Sequence, residues 1–273
     1  MKLCSLNVEG HIHLHERVIP FLKQERPDVI CLQEVFFRDI PLLEAELEMK
    51  AHFGLMGNVE AGSPVFNQPY GMIGVAILTK GEVKSVQHQY YAPTIAVDDL
   101  NEYLAPRLKD EDFSPTSVEI PFEVPVLSHP NAMWRVLSSL DIEVEGEWYR
   151  VAHTHFTWAD KGMFTQKQAD DFRSLWGYVE DLGEHILCGD FNSPRGGQGD
   201  GANVYDQLAD RMSSAVPLDE ISSLDDNLHR AGRLDLVVDG IFTTPTYSVS
   251  DIRLESGVSD HKALVAQVEK VRF

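Results

Sequence analysis

Cysteine is scarce in this 273-residue chain: Cys4, Cys31 and Cys188 are all there are. An odd number, each set in an apolar run, argues against a disulfide framework. No C-x-x-C pair occurs, which speaks against zinc held by cysteine. The three read as small buried hydrophobes in a reducing compartment. Long apolar runs are missing too. No window approaches 18 uninterrupted apolar residues, so no transmembrane helix is expected. Residues 1–8 are too polar for the core of a signal peptide and run straight into Glu9-Gly10. A soluble, cytoplasmic protein is therefore expected. Positive charge is in short supply: 23 Lys and Arg stand against 43 Asp and Glu, for a formal net charge of -20. With no Lys/Arg block to offset it, such a surface repels polyanions and disfavours diffuse binding to duplex nucleic acid. Chemistry on phosphate esters stays open, provided metal ions supply the positive charge. Repeats, low-complexity tracts and linkers are also absent.

What is present is a 43% hydrophobic chain, enough to bury a full-sized core. A single domain over residues 1–273 is expected. Short apolar runs at 2–8, 29–34, 74–78 and 186–192 read as strands, the second being continuous enough to be covered on both faces. Helices are expected at 16–24, 39–49, 165–182 and near 204–211. The third carries Phe172, Leu175, Trp176 and Val179 on one face. Residues 134–144 and 148–156 read as a hairpin turning at Glu145-Gly146-Glu147. Three further strands are expected near 234–243, 248–254 and 263–270. Between about 92 and 131, six prolines and frequent acids mark an irregular insertion, with a short helix near 98–108. Strands mixed with helices along the whole chain point to an α/β layer architecture, and the hairpin argues against a purely parallel sheet.

The informative feature is where polar residues fall. Apolar strands end in Asn7-Val8-Glu9, Gln33-Glu34, His153-Thr154-His155 and Asp190-Phe191-Asn192, and Ser259-Asp260-His261 precedes another apolar run. In layered α/β folds chemistry gathers where strand ends converge. Convergence here would crowd Glu34, Asp190 and Asp260 with Asn7, Asn192 and one or two histidines. So many carboxylates do not ionise side by side without a counter-charge. Oxygen donors of this kind suit Mg2+ or Mn2+ better than zinc.

The ordered set Ser5-Leu6-Asn7, Leu32-Gln33-Glu34-Val35, Thr154-His155-Phe156, Gly189-Asp190-Phe191-Asn192, Val238-Asp239-Gly240-Ile241-Phe242 and Ser259-Asp260-His261 resembles the endonuclease/exonuclease/phosphatase superfamily of deoxyribonuclease-like metal phosphoesterases. It spans nearly the whole chain in the family's order. The resemblance implies a four-layer sandwich, two packed mixed β-sheets flanked by helices. It implies a Mg2+- or Mn2+-dependent hydrolase in which water attacks a phosphate ester in line, the substrate being nucleic acid or a small phosphorylated molecule. It implies that Glu34 binds the metal, with Asn7 and Asp260 assisting. Asp190 would orient or deprotonate water, Asn192 would position the phosphate or nucleophile, His261 and His155 would stabilise phosphoryl charge, and Asp239 would hold His261. A catalytically inactive relative serving as a binding scaffold is the competing class. It should have lost one of these residues, and all are present.

Several features have two readings. Asp235 and Asp239 lie in one stretch, and the following Ile241-Phe242 makes Asp239 the better partner for His261; Asp235 could equally be a surface residue. Glu9 could reach a metal or only a neighbouring side chain. His153 shares a strand face with His155 and reads as a packed, hydrogen-bonded histidine. His11, His13 and His15 read as a loop at a pocket mouth or as solvated residues rather than a zinc site. The glycine-rich stretch 196–201 lacks the Gly-Lys-Ser/Thr ending of a P-loop. Arg135 and Arg195 are the cations expected near a substrate phosphate, although surface ion pairs are the ordinary fate of an arginine. Tyr70, Phe66, Trp134 and Trp158 could stack on a substrate ring, although core packing is the default for aromatics.

Overall fold

The structure is a computed structural model and describes residues 1–60, 71–92, 125, 127, 130–197 and 203–271. The insertion and short helix expected within 92–131 fall almost entirely outside the described residues, as do Phe66 and Tyr70. Twelve strands among the described residues form two six-stranded mixed sheets. The first contains β1 (Lys2–Asn7), β2 (Val29–Phe36), β3 (Lys50–Val59), β4 (Gly71–Thr79), β11 (Tyr247–Glu255) and β12 (Ala263–Lys270), in the order β11-β12-β1-β2-β4-β3. The second contains β5 (Val83–Ala92), β6 (Arg135–Val144), β7 (Glu147–His155), β8 (Ile186–Asp190), β9 (Ser213–Ser214) and β10 (Asp239–Thr243), in the order β5-β6-β7-β8-β10-β9.

Helices cover the outsides. On the first sheet, Ile19 and Leu22 of α1 (Ile19–Glu25) and Leu43 and Leu47 of α2 (Ile40–Leu47) pack with Cys4, Leu6, Ile30 and Leu32. On the second, Phe172, Leu175 and Val179 of α3 (Gln166–Asp181) and Tyr205 and Leu208 of α4 (Val204–Ala209) join the core that contains Leu187 and Phe242. Thr165 caps α3 by accepting the Gln168 amide, so the helix begins where its apolar stripe does.

Strand alternation sends one set of residues between the sheets, and this positions the site. Outward Cys4, Leu6, Ile30 and Leu32 leave Leu3, Ser5 and Asn7 of β1, and Val29, Cys31 and Gln33 of β2, facing inward. In the second sheet, parallel pairing aligns Val151, His153 and His155 of β7 with Ile186, Cys188 and Asp190 of β8. The inner space therefore changes along the strands. It is apolar at Leu3, Val29, Val151 and Ile186, holds thiol, hydroxyl and imidazole at the next rung, and is fully polar at the strand ends. Gly189 makes the β7–β8 pairing possible: its φ is +151°, and a Cβ there would lie 1.9 Å from the Thr154 carbonyl oxygen.

Four elements differ from expectation. The strand expected near 234–243 is regular only at Asp239–Thr243. Before it, the carbonyls of Leu236, Val237 and Val238 accept from Ser223, Arg195 and Phe191, so this segment bonds to loops instead of continuing the ladder. The helix expected at 16–24 begins earlier, as a wide π turn over Leu14–Val18. Strands β3 and β5 were not anticipated. Gly54 and Gly57 dilute the β signal of the first, and polar residues fill much of the second.

Candidate active site

Strand ends from both sheets meet around one cleft of about 490 Å³, whose walls include Glu34, Asn7, His155, Asp190, Asp260 and His261. Three backbone devices aim the side chains. A bulge between Leu32 and Val35 breaks the β2–β4 register and puts Glu34 at φ +59°, turning it out of the alternation. Asn192 adopts φ +48° just past β8, and its N–H donates to Asp190 Oδ1 at 2.8 Å. The Ser223 hydroxyl oxygen accepts the N–H groups of Val238 and Asp239, fixing the entry to β10.

The side chains form one connected set. The Asn7 amide nitrogen donates to Glu34 Oε1 at 3.3 Å and Asp190 Oδ2 at 3.2 Å, while its oxygen accepts the Glu9 N–H at 3.1 Å. Antiparallel pairing puts Asp239 opposite Asp190, and Asp239 Oδ2 lies 2.8 Å from His261 Nδ1. His261 Nε2 then faces Asp190 Oδ2 at 3.9 Å, and His155 Nε2 approaches the same oxygen at 3.5 Å. The Asn192 amide nitrogen donates to the Phe156 carbonyl at 3.0 Å, and the Gln168 amide holds the Asn192 carbonyl. Asp260 accepts from the Ser259 hydroxyl at 3.1 Å.

Burial and mutual repulsion leave this cluster short of positive charge. Burial, reinforced by Asp260 and Asp190, pushes the Glu34 carboxyl up to about 7. Burial likewise raises Asp190 to about 6, with Asp239 adding to it and His261 opposing it. Burial works against a charged His261, yet Asp239, Asp190 and Asp260 outweigh it and hold its pKa well above the usual range. His155 goes the other way, driven well down by burial and by the Arg135 and His261 cations. One histidine is thus charged and the other neutral, an arrangement that separates their roles. Two carboxyls pushed towards their neutral form, beside further carboxylate oxygens and with no sulfur donor among them, fit a hard dication such as Mg2+ or Mn2+. Glu34 and Asp260 would supply its oxygens. As placed, Asn7 turns its nitrogen to Glu34, and its oxygen is taken by the Glu9 amide.

The remaining candidates divide. Asp235 pairs with Arg233 on the surface at 3.0 Å, so the geometry selects Asp239 as the histidine's partner. Glu9 sits on the cleft wall between Arg230 Nε at 2.6 Å and His13 Nε2 at 3.3 Å. The three clustered histidines diverge: His13 goes to Glu9, while His11 pairs with Asp39 at 3.1 Å and packs edge-on against His15. Arg135 lines the cleft but is 2% exposed and donates to the carbonyls of His155 and Pro130, bracing the site from behind. Arg195 is a correction: it donates to the carbonyls of Val216, Pro217, Leu218 and Glu220, and its guanidinium is committed to that loop, away from the cleft. Trp158 is on the wall, its backbone clamped at both N–H and C=O by the Asn131 amide. Lys161 and Arg230, the exposed cations on the cleft wall, have no signal in the sequence; each is a surface residue that long-range folding brings to the rim.

Comparison with known proteins agrees with this geometry. The family model described as the Endonuclease/Exonuclease/phosphatase family matches residues 4–261. No curated protein matches the sequence closely enough to count as a relative. Solved structures share the fold at low identity. The catalytic domain of human Nocturnin with bound sulfate superposes with a TM-score of 0.60 at 16% identity, covering 99% of this chain and 93% of that one. The mannosyl-6-phosphatase Bt3783 of Bacteroides thetaiotaomicron gives 0.61 at 13%, covering 98% and 99%. A humanised TDP2 of D. rerio gives 0.57 at 15%, covering 99% of each. With the family model spanning nearly its whole length and both sheets in place, the chain belongs to the endonuclease/exonuclease/phosphatase family.

Proposed function

We propose that this chain is a divalent-metal-dependent phosphoesterase that hydrolyses a phosphomono- or phosphodiester by direct in-line attack of water. The observation that carries the reading is the meeting of Glu34, Asp190, Asp260 and the Asp239–His261 pair, 2.8 Å apart, in one cleft. Phosphoryl transfer asks for positioning and charge neutralisation more than for covalent help. Asp190, which binds a proton near neutrality, accepts one from the attacking water. Asn192 positions the phosphate or the nucleophile. Charged His261, its ring fixed by Asp239, and neutral His155 donate to phosphoryl oxygens as negative charge builds. Glu34, with Asn7 and Asp260 beside it, would hold Mg2+ or Mn2+, which when bound polarises the ester and stabilises the leaving oxygen.

A small phosphorylated molecule is favoured over duplex nucleic acid. The formal net charge is -20, and the cleft of about 490 Å³ is the size of a small-ligand site. One structural neighbour is named as a mannosyl-6-phosphatase, which keeps sugar phosphates in the class. The three cysteines are free and buried, which suits the cytoplasm, and among the described residues no helix is long and apolar enough to cross a membrane. The test is one matched panel with Mg2+, Mn2+ or EDTA: single-stranded and abasic duplex DNA, RNA, 5′-tyrosyl DNA, mononucleotides, sugar, lipid and inositol phosphates, with Asp190→Asn as the blank. Metal-dependent turnover of a small phosphate, absent in the variant, is expected. Activity confined to DNA and falling steeply with salt would overturn the small-substrate reading. No metal-dependent turnover on any member, with no metal effect on melting, would favour the inactive scaffold.

A further inference from the structure

One rung below the active centre, the two sheets bring together residues that the proposed reaction does not use. Cys31 of β2, His153 of β7 and Cys188 of β8 are each 0% exposed, and their two sulfurs and a ring nitrogen all lie within 4.8 Å of one another. Cys188 Sγ is 4.0 Å from His153 Nδ1. A tetrahedral zinc ion, with Zn–S of about 2.3 Å and Zn–N of about 2.0–2.1 Å, sets S···N at roughly 3.6 Å and S···S at roughly 3.8 Å. The Cys188–His153 spacing needs to close by about 0.4 Å, and the other two spacings by at most about 1 Å.

The hydrogen bonding is left incomplete at the same place. His153 Nε2 lies 3.1 Å from the Leu32 carbonyl oxygen and Nδ1 lies 3.2 Å from the Cys188 carbonyl oxygen. A neutral imidazole has one N–H. When Nε2 donates to Leu32, the Nδ1 lone pair is left against a second oxygen. The Gln33 amide nitrogen is 3.3 Å and 3.5 Å from the two ring nitrogens, close to equidistant, and so serves neither well. Gln33 is itself 0% exposed, and its Oε1 is buried with no partner. The cluster thus holds a ring lone pair set against oxygen and a buried amide oxygen with no partner, and a cation at Nδ1 would take up the lone pair. A histidine that ligates through one nitrogen while donating the other N–H to a carbonyl is the usual arrangement around a bound metal.

We propose that Cys31, Cys188 and His153, completed by an oxygen of Gln33 or Ser5, form a closed structural site for a soft dication, zinc by its donor set, tying the two sheets together behind the active centre. Thiolates and imidazole select zinc over Mg2+, and two thiolates with one dication carry no net charge into the core. Binding releases both thiol protons. Each ligand lies two or three residues before a residue of the active centre: Cys31 before Glu34, Cys188 before Asp190, and His153 before His155. The absence of C-x-x-C spacing therefore excludes nothing here, because the ligands come from three strands.

The experiment uses the intact protein, purified without chelator and then dialysed against EDTA to strip loosely held ions. Elemental analysis should find about one zinc per chain. Reconstitution with Co2+ should give a thiolate-to-cobalt charge-transfer band, lost in Cys188→Ser and kept in Cys4→Ser. The active centre has no sulfur, so its own metal cannot produce that band. The inference is overturned if no metal is retained and three thiols titrate in denaturant, if only one titrates because Cys31 and Cys188 have formed a disulfide, or if cobalt binds without the band. Should Cys188→Ser not fold, the wild-type stoichiometry and spectrum decide alone.

Discussion

Two layers of the same inter-sheet space, one rung apart, are built from opposite chemistry. At the strand ends stand Glu34, Asp190 and Asp260, oxygen donors crowded until two of them hold protons near neutrality. Just below stand two thiols and an imidazole, shut away from solvent. The upper layer opens on a cleft and so can exchange a hard ion and a substrate. The lower layer has no opening and can only be structural. Side-chain alternation alone separates them, because inward positions recur every second residue and each rung draws on four strands at once. A site of this kind is specified by register: a one-residue slip of β8 would turn Cys188 and Asp190 out of the inter-sheet space and bring Leu187 and Gly189 in.

The largest expected effects break the upper layer. Asp190→Asn, Glu34→Gln and His261→Ala should each lower turnover by at least about a hundredfold, as loss of an acid–base or charge-stabilising group does. Asp239→Asn keeps the shape but removes the anion that holds His261, and should cost about tenfold or more in kcat, whereas Asp235→Asn on the surface should stay within about twofold. Near-normal turnover in the first three would place the chemistry elsewhere.

How much of this was legible beforehand follows from what periodicity encodes. Asn7, Glu34, Asp190 and Asp260 stood out because each interrupts or ends an apolar run, and the Gly189-Asp190-Phe191-Asn192 and Ser259-Asp260-His261 motifs fixed their order. The hairpin and α3 were legible from local signals, a glycine turn and an amphipathic stripe. Strands β3 and β5 were not, since neither alternates clearly. Arg195 misled because a cation beside a motif looks like a phosphate ligand; the carbonyls that claim it come from residues 216–220, and no local rule anticipates them. Arg230 and Lys161 reach the cleft through the same long-range packing. The thiol–imidazole cluster was hidden for the opposite reason: each member, alone, is an ordinary core residue.

Metal removal should sharpen the contrast through pH. Glu34 and Asp190 have folded pKa values of about 7 and about 6, above the ordinary values of 4.5 and 3.8. Between these limits the unfolded chain has released protons that the folded chain still holds, so stability falls as pH rises. The metal-free protein should therefore lose several degrees in Tm between about pH 4.5 and pH 7, through these two groups. Saturating Mg2+ stabilises the ionised carboxylates of the folded state and should flatten that slope. A thermal scan against pH, with Mg2+ and with EDTA, checks it; superimposable curves would mean that these carboxylates do not face a cation.

The smallest effect expected is the one that separates structure from chemistry. Arg195→Ala removes a guanidinium that serves the carbonyls of Val216, Pro217, Leu218 and Glu220, and these are left to find water. Part of the residue is solvent-accessible, so the loss should be about 1–2 kcal/mol of stability, not the larger cost of a fully buried orphan. That is a few degrees in Tm for a chain of this size. KM for the phosphate substrate should not move, because the side chain points away from the cleft. A rise in KM with unchanged Tm would reverse the assignment and return Arg195 to the substrate. Arg230→Ala is the matched comparison. Glu9 holds Arg230 on the cleft wall at 2.6 Å, so removing the guanidinium should raise KM and also cost some Tm through the buried Glu9 carboxylate left without its cation.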